Sequence, residues 1–346
     1  MTDTVTRPRS VEPLEEGCAW RASDVGDDYI WRLDDDDIAE LEAALAHAEA
    51  HTEHTLDITT DTFPLPTLGP RLGDLAGELI NGRGVALIRG LPVERYGRER
   101  ASAIYWGVGT HLGRPWPQNH KGHLLGDVTD QGRAPDDPRS RGNEIGGIAF
   151  PFHSDGSDLV GLFCLDAGAS GGASLVANAV TIHNELVADE PELAAALYDE
   201  FAYDMRGEQD EGTKPWYVLP VFSRRGDRLF VRYIRPYILA AARHPDAPRP
   251  SPVAVEAMDK VDALCADPDH HLSMQLEPGD MQFVNNYHVL HGRKAYEDDR
   301  EHGRVRHLKR LWLETSVLTD DDKPVPFRLN RTTTGWWKAA EAQTQR

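Results

Sequence analysis

His153, Ser154 and Asp155 place an imidazole and a carboxylate two residues apart, just after the extended run Phe150-Pro151-Phe152. Side chains at i and i+2 share one face of a strand, so such a pair can grip a single ion. More imidazole lies far along the chain, in Phe283-Val284-Asn285-Asn286-Tyr287-His288-Val289-Leu290-His291-Gly292-Arg293. Two histidines and one carboxylate can occupy one face of an octahedral iron(II) and leave three positions open. Two of these suit the 2-oxo acid group of 2-oxoglutarate, and the third suits O2. Fifteen residues past His291 the chain reads Arg306-His307-Leu308-Lys309-Arg310. On a strand, Arg306, Leu308 and Arg310 share a face. Guanidinium pairs bidentately with carboxylate, which fits two arginines to a dicarboxylate cosubstrate or an anionic substrate group. An exposed basic strand on an acidic protein is the plainer alternative.

The spacing alone does not single out a site. His-x-acid also occurs at His47/Glu49, His51/Glu53, His183/Glu185 and His244/Asp246. The first three fall in helical patterns, where i and i+2 diverge, and His244 precedes Pro245 in a loop. His153/Asp155 alone combines extended context with a downstream apolar strand. A zinc hydrolase also uses histidine and carboxylate ligands, but it gives the arginines no role. Halogenation on the same kind of site needs a small residue where Asp155 stands.

The elements that must carry these residues are legible in outline. Asp34-Asp35-Asp36-Asp37 suits the start of a helix reaching about His51. Gly84–Ile88 reads as a buried strand, and a helix is expected across Arg98–His111. Residues 112–150 are rich in Gly, Pro, Asp, Asn and Arg and lack a period, which is typical of a functional or a disordered stretch. Val160–Leu165 and the turn Gly171-Gly172-Ala173 into Ser174-Leu175-Val176 read as strands. Helices follow near Thr181–Ala188 and Pro191–Asp199. Val218–Ser223 and Arg228–Tyr233 flank a hairpin turn. Ser251-Pro252 opens a helix to about Ala266. Leu272–Leu276 and Met281–Val284 read as a second hairpin around Pro278-Gly279-Asp280, and Arg306–Leu313 as a last strand. The expected fold is mainly β with helices (α+β), a jelly roll or double-sheet barrel with helical decoration. Residues 1–15 read as a flexible tail and 16–346 as a single domain.

Taken together, these motifs resemble the taurine dioxygenase-like (TauD/TfdA) superfamily of iron(II)/2-oxoglutarate oxygenases. The resemblance covers roughly residues 84–315. It rests on Phe152-His153-Ser154-Asp155, the Gly171-Gly172-x-Ser174-Leu175 turn, Asn286 five residues before His291, the run Val289–Arg293 and the final arginine pair. The His-Gly-Arg and Arg-His-Leu details look closest to the γ-butyrobetaine hydroxylase and clavaminate synthase-like branches. The resemblance implies a double-stranded β-helix with its core at about 84–315 and a lid insertion at about 112–150. It implies iron(II) on His153, Asp155 and His291, with His288 as a competing but misplaced candidate. It further implies 2-oxoglutarate on Arg306, a hydroxyl from Ser174 where the family often has threonine, and Arg310 against cosubstrate or substrate. O2 is the remaining cosubstrate. The reaction implied is hydroxylation of a small molecule, or its desaturation or cyclisation, with release of succinate and CO2. A non-catalytic barrel that only binds metal or 2-oxoglutarate is the alternative. It would tend to lose a ligand or the arginine, and here every position is filled. Gln118, Asn119 and Arg235 are candidate substrate contacts, with loop closure as the competing role for Gln118 and Asn119.

Composition narrows the partners. The formal net charge is −20, which disfavours nucleic acid and anionic membranes. No run of apolar residues is long enough to span a bilayer, and the first residues lack the pattern of a secretory signal. Cys18, Cys164 and Cys265 are scattered and odd in number, which points to a reducing, cytoplasmic setting. A small-molecule substrate is expected, and a homo-oligomer is compatible with the sequence.

Overall fold

The computed structural model describes residues 11–14, 17–135, 137, 139–327 and 334–344. Two β-sheets form the centre. The larger runs in spatial order Ile30–Arg32, Val85–Arg89, Met281–Asn285, Leu159–Asp166, His307–Glu314 and Arg114–Pro115, with Leu125–Thr129 also paired to His307–Glu314. The smaller runs His271–Met274, Ser174–Asn178, Val289–Arg293 and Phe150–His153. Every pairing in them is antiparallel except the edge pair Ile30–Arg32 with Val85–Arg89.

Alternation along the strands decides which face lies inside. Val85, Val160, Val284 and Trp312 of the large sheet meet Val176, Leu272, Met274 and Val289 of the small one. Their neighbours point the other way. Ile88, Phe163, Phe283 and Leu311 pack under the helices Asp35–His51, Leu68–Asn81 and Val93–Leu112. Leu175, Ala177 and Leu290 pack against the helices Ala179–Asp189 and Pro252–Ala266. The result is a jelly roll, a double-stranded β-helix between two helical layers. None of the described helices is long and apolar enough to cross a membrane.

Several local signals do what their chemistry dictates. Asp34 caps its helix by accepting from the Asp37 N–H at 2.8 Å. Ser251 caps the next long helix through the Ala254 N–H at 3.1 Å, with Pro252 at its first position. Phe222–Arg225 and Arg228–Val231 form the expected hairpin.

Three expectations need correction. The second hairpin is not one. His271–Met274 pairs with Ser174–Asn178, whereas Met281–Asn285 joins the other sheet between Val85–Arg89 and Leu159–Asp166. Pro278-Gly279-Asp280 therefore carries the chain across from one sheet to the other. Gly279 sits at φ +98°, where a Cβ would come within 1.9 Å of the Leu91 carbonyl oxygen. The stretch 112–150 is not wholly irregular, because Leu125–Thr129 is a strand of the large sheet. Its Gly and Asp hid the period. Of the tail, residues 1–10 and 15 lie outside the described residues. Leu14 is packed, its backbone N–H and C=O both bonded to the Asn184 side chain.

Candidate active site

Strand pairing sets the two histidines face to face. Phe150–His153 runs antiparallel to Val289–Arg293 with His153 opposite His291, and the ring centroids are 4.2 Å apart. The strand ends at His153, so strand alternation does not place Asp155. A turn does. The Asp155 N–H donates to Asn286 Oδ1 at 3.0 Å, and Asn286 Nδ2 donates to the Ser157 carbonyl at 3.0 Å. Ser154 is held by Tyr233, N–H to carbonyl at 2.8 Å and Tyr233 N–H to Ser154 Oγ at 3.0 Å. Beneath the turn, buried Asp158 takes Lys323 Nζ at 2.7 Å and the Tyr287 hydroxyl at 2.8 Å.

One ligand atom from each of His153, Asp155 and His291 fits within a 4.8 Å cluster. Asp155 Oδ1 lies 3.9 Å from His153 Nε2, and Oδ2 lies 3.8 Å from His291 Nε2. His153 Nδ1 is 3.0 Å from the Pro151 carbonyl. That contact places the proton on Nδ1 and leaves the Nε2 lone pair facing inward. Burial lowers the pKa of both rings, with His291 pushed down to about 3, so both are neutral imidazoles. Burial works against the Asp155 carboxylate, but the charge of Arg310 and the Trp312 N–H outweigh it and keep its pKa low. Trp312 Nε1 donates to Oδ2 at 2.9 Å. Two neutral imidazoles and an ionised carboxylate are what a divalent metal requires. His288 is buried, but it is not one of the three residues of this cluster.

A second set of charges lies along the same cavity. Arg306 and Arg293 both stack over the Tyr296 ring, with the guanidinium carbons 5.2 and 4.7 Å from its centroid. Burial, and then the charge of Arg293, pull the Arg306 pKa down to about 10. Arg306 Nη1 and Arg293 Nε are buried without hydrogen-bond partners among the described residues. Two adjacent cations with unused donors fit a dicarboxylate such as 2-oxoglutarate. The Gly171-Gly172 turn makes room for them. Gly172 is at φ +73°, and a Cβ there would stand 2.9 Å from Arg306 Nε. Ser174 also lines the cavity, and its hydroxyl donates to Gln282 Oε1 at 2.8 Å. Arg293 was written in the sequence motif but carried no assigned role.

The remaining wall is built from elements far apart in sequence. The cavity measures about 410 Å³ and includes Trp116, Arg141, Arg206, Glu208, Arg232 and Trp336. Arg310 lines it too, 3.4 Å from Asp155 Oδ2. Gln118 is buried behind Arg310. It accepts from Arg310 Nε at 2.8 Å and donates to the Arg310 carbonyl at 2.8 Å. It therefore positions a site residue instead of lining the cavity. Asn119 accepts from the Lys121 and His123 N–H groups and closes its own turn. Arg235 points to Asp259 and Asp262 on the helix Pro252–Ala266. Neither Asn119 nor Arg235 is a cavity residue, because each finds its partners locally. Arg141 falls in the stretch 112–150 and Arg232 in the segment Arg232–Tyr237, both expected from the sequence to supply pocket wall though no residue code picks them out, whereas Arg206 and Glu208 gave no signal, since they sit in or beside loops with no recurring spacing.

Comparison with known proteins gives a consistent picture. A family model described as "Taurine catabolism dioxygenase TauD, TfdA family" matches residues 27–312. FR-33289 synthase of Streptomyces rubellomurinus is 30% identical over 311 residues, covering 87% of this chain and 90% of that protein. Taurine hydroxylase-like protein SAT17 of Stachybotrys chartarum is 27% identical over 305 residues, covering 86% and 76%. Among solved structures, asparagine oxygenase in complex with Fe(II), 2S,3S-3-hydroxyasparagine and succinate aligns with a TM-score of 0.64 at 20% identity, over 83% of this chain and 94% of that one. Non-heme iron oxygenase OrfP with Fe and alpha-ketoglutaric acid aligns with a TM-score of 0.61 at 16% identity, over 82% and 94%.

Proposed function

The chain belongs to the TauD/TfdA family of dioxygenases, and on that premise we propose that it hydroxylates a small polar metabolite using iron(II), 2-oxoglutarate and O2. One observation carries the reading. His153, Asp155 and His291 converge within 4.8 Å, and the buried, unpartnered nitrogens of Arg306 and Arg293 belong to residues of the same cavity. His153, Asp155 and His291 hold the metal, and Arg306, Arg293 and Ser174 hold the distal carboxylate of 2-oxoglutarate. Iron(II) bound there supplies C–H oxidation coupled to decarboxylation, so that substrate, O2 and 2-oxoglutarate give hydroxylated substrate, succinate and CO2.

The protein's own contribution is placement. Trp312 and Arg310 both contact Asp155 Oδ2 and so fix the orientation of the carboxylate. Asn286 fixes the turn beneath. The apolar wall of Trp116, Trp312 and Phe150 keeps water from the reacting carbon. Residues 139–149, which carry Arg141, close the cavity as a lid when substrate binds. A small substrate is supported by relatives of the same fold, since asparagine oxygenase and OrfP are solved with hydroxylated amino acids. The three free cysteines are all buried, which fits a cytoplasmic protein.

The test is succinate release that requires both iron(II) and 2-oxoglutarate, followed by mass spectrometry for the gain of one oxygen in the substrate. Metal-independent turnover, or iron binding that survives His291→Ala and is lost in His288→Ala, would overturn the assignment. Limited proteolysis between residues 139 and 149 should slow when substrate joins iron(II) and 2-oxoglutarate without O2. Equal cleavage with and without substrate rejects the lid.

A further inference from the structure

Asp158 and Lys323 are fully buried and oppositely charged, and neither lines the cavity. Lys323 Nζ stands 2.7 Å from Asp158 Oδ1 and 3.0 Å from Oδ2. The Tyr287 hydroxyl donates to Oδ1 at 2.8 Å, and the Thr315 N–H donates to Oδ2 at 3.1 Å. Each carboxylate oxygen is therefore bonded twice. Asp320, the other carboxylate near the lysine, is exposed and 3.9 Å away. Removing two charges from water offsets most of their mutual attraction, and an apolar pair of similar volume is often as stable. Stability of the fold is thus a weak reason for this pair to be kept in the interior. A demand on geometry is a stronger one.

The bonds around the pair lead to the metal cluster. Asp158 ends the turn that starts at Ser154, and its carbonyl accepts from the Asn286 N–H at 3.0 Å. The Asn286 side chain bonds the Ser157 carbonyl and the Asp155 N–H, both at 3.0 Å. Tyr287, next in sequence, returns to the Asp158 carboxylate. Asp155 is thus placed by a closed ring of bonds with Asp158 at its base, and Thr315 and Lys323 grip that base from other parts of the chain. Thr315 follows the strand His307–Glu314, whose Arg310 and Trp312 both reach Asp155 Oδ2. Lys323 comes from farther on, beyond the residues 27–312 that match the family. Past it, Val325 and Phe327 line the cavity, and the Phe327 ring packs 6.0 Å from that of Tyr287. One short segment therefore reaches both the base of the metal turn and the cavity wall.

We infer that Lys323 is a positioning residue for the metal ligand Asp155, acting through Asp158 and Asn286, so that residues 320–327 complete the metal site from beneath. The inference rests on the oxygenase reading for the metal itself. Lys323 bridges both Asp158 oxygens and holds the turn at one height under the histidines. Without that bridge the turn keeps its local bonds but loses its tie to the C-terminal segment. The Asp155 oxygens then no longer hold their 3.9 and 3.8 Å separations from His153 Nε2 and His291 Nε2. Partners that orient a ligand in this way change metal affinity by about 10–100-fold when removed.

The experiment uses the full chain stripped of metal. Cobalt(II) is the probe, because its visible absorption reports the ligands around it, and iron(II) affinity is measured in parallel by calorimetry without O2. Changing one partner alone strands a buried charge, so the main variant is the neutral pair Asp158→Asn with Lys323→Met. Its Tm should stay within about 3 °C of wild type. It should nevertheless bind both metals about tenfold more weakly or worse, with a changed cobalt spectrum. Tyr287→Phe removes one hydrogen bond to Asp158 and should weaken metal binding about threefold to tenfold. Should the neutral pair fail to fold, Tyr287→Phe decides alone. Metal affinities within twofold of wild type and an unchanged cobalt spectrum overturn the positioning role, whatever the Tm does. Wild-type metal binding that the variants weaken, without iron-dependent succinate release, would break the oxygenase reading and leave the positioning role standing. A wild type that binds neither metal overturns both.

Discussion

The two halves of the cavity are built differently. The metal and cosubstrate half hangs on paired strands and tight turns. His153 faces His291 across one ladder, and a glycine turn leaves space for Arg306. The other half of the cavity wall is assembled from Arg141, Arg206, Glu208 and Arg232, which come from separate loops and strand ends. The comparison teaches where precision resides. A strand ladder fixes side-chain direction through backbone bonds, so a few residue types at set spacing suffice. A loop wall needs each side chain to be held by its own partners, as Gln118 holds Arg310 and Asp204 holds Arg206. On the proposed reading, chemistry is fixed by the strands and specificity by the loops.

If that division is right, the largest effect comes from the strand-built half. Asp155→Ala should abolish iron-dependent succinate release and iron binding while leaving the circular dichroism of the fold intact. It removes the one carboxylate of the cluster and leaves Trp312 Nε1 without its acceptor. Residual coupled turnover above about one part in a hundred of wild type would show that the metal is held elsewhere. Next comes Arg306→Ala. Breaking a buried charge-assisted pair costs about 2–5 kcal/mol, so the KM for 2-oxoglutarate should rise roughly 30-fold or more. Ser174→Ala should cost far less, because the Ser174 hydroxyl already has Gln282 as partner. An unchanged KM in Arg306→Ala would move the cosubstrate to Arg310.

Gln118→Ala probes the boundary between the halves. Gln118 touches no cavity space, yet it bonds Arg310 twice. Its loss should raise the KM for the organic substrate by about tenfold, one to two hydrogen bonds' worth, with the KM for 2-oxoglutarate nearly unchanged. If both constants rise together, Arg310 serves the cosubstrate, and the two halves are less separate than the geometry says.

The sequence showed the strand-built half and little of the other, for the same physical reason. His153, Asp155, His291 and Arg306 stand in short motifs because ladder register converts spacing into geometry. Even there, the strand reading misplaced the cause, since Asp155 is positioned by Asn286 and not by alternation. Leu125–Thr129 was missed because its Gly and Asp break the apolar period, although its pairing with His307–Glu314 supplies Val128 to the cavity. The false hairpin at Pro278-Gly279-Asp280 shows the opposite error. Turn residues mark where a chain reverses, but not whether the flanking strands pair. The segment Arg232–Tyr237 was expected at the pocket and lines it, but Arg206 became visible only when its partners did.

The smallest effect separates scaffold histidines from site histidines. His183 is buried under the small sheet, with Nε2 2.8 Å from the Tyr198 hydroxyl, and burial pushes its pKa down to about 4. In the unfolded chain the same ring titrates near 6.5. Between about pH 4 and 6.5 the unfolded state therefore binds a proton that the folded state refuses. Stability is fully present above pH 6.5 and falls as the pH drops through that window. His288, pushed down to about 3 by burial, acts in the same direction. Asp158 opposes them. Burial raises its pKa to about 6, so the folded state takes up a proton early there and gains stability on acidification over part of the same range. In the metal-free protein His153 and His291, also lowered by burial, add to His183 and His288, so the histidines outweigh the one carboxyl and the protein should become easier to unfold in urea between pH 6.5 and 4. His183→Gln should flatten that dependence by one proton, about 1.4 kcal/mol per pH unit at most, without changing the KM for 2-oxoglutarate or substrate. A parallel curve for wild type and variant would mean that His183 is already charged in the folded protein. A changed KM would mean that the helical layer beneath the small sheet reaches into the site.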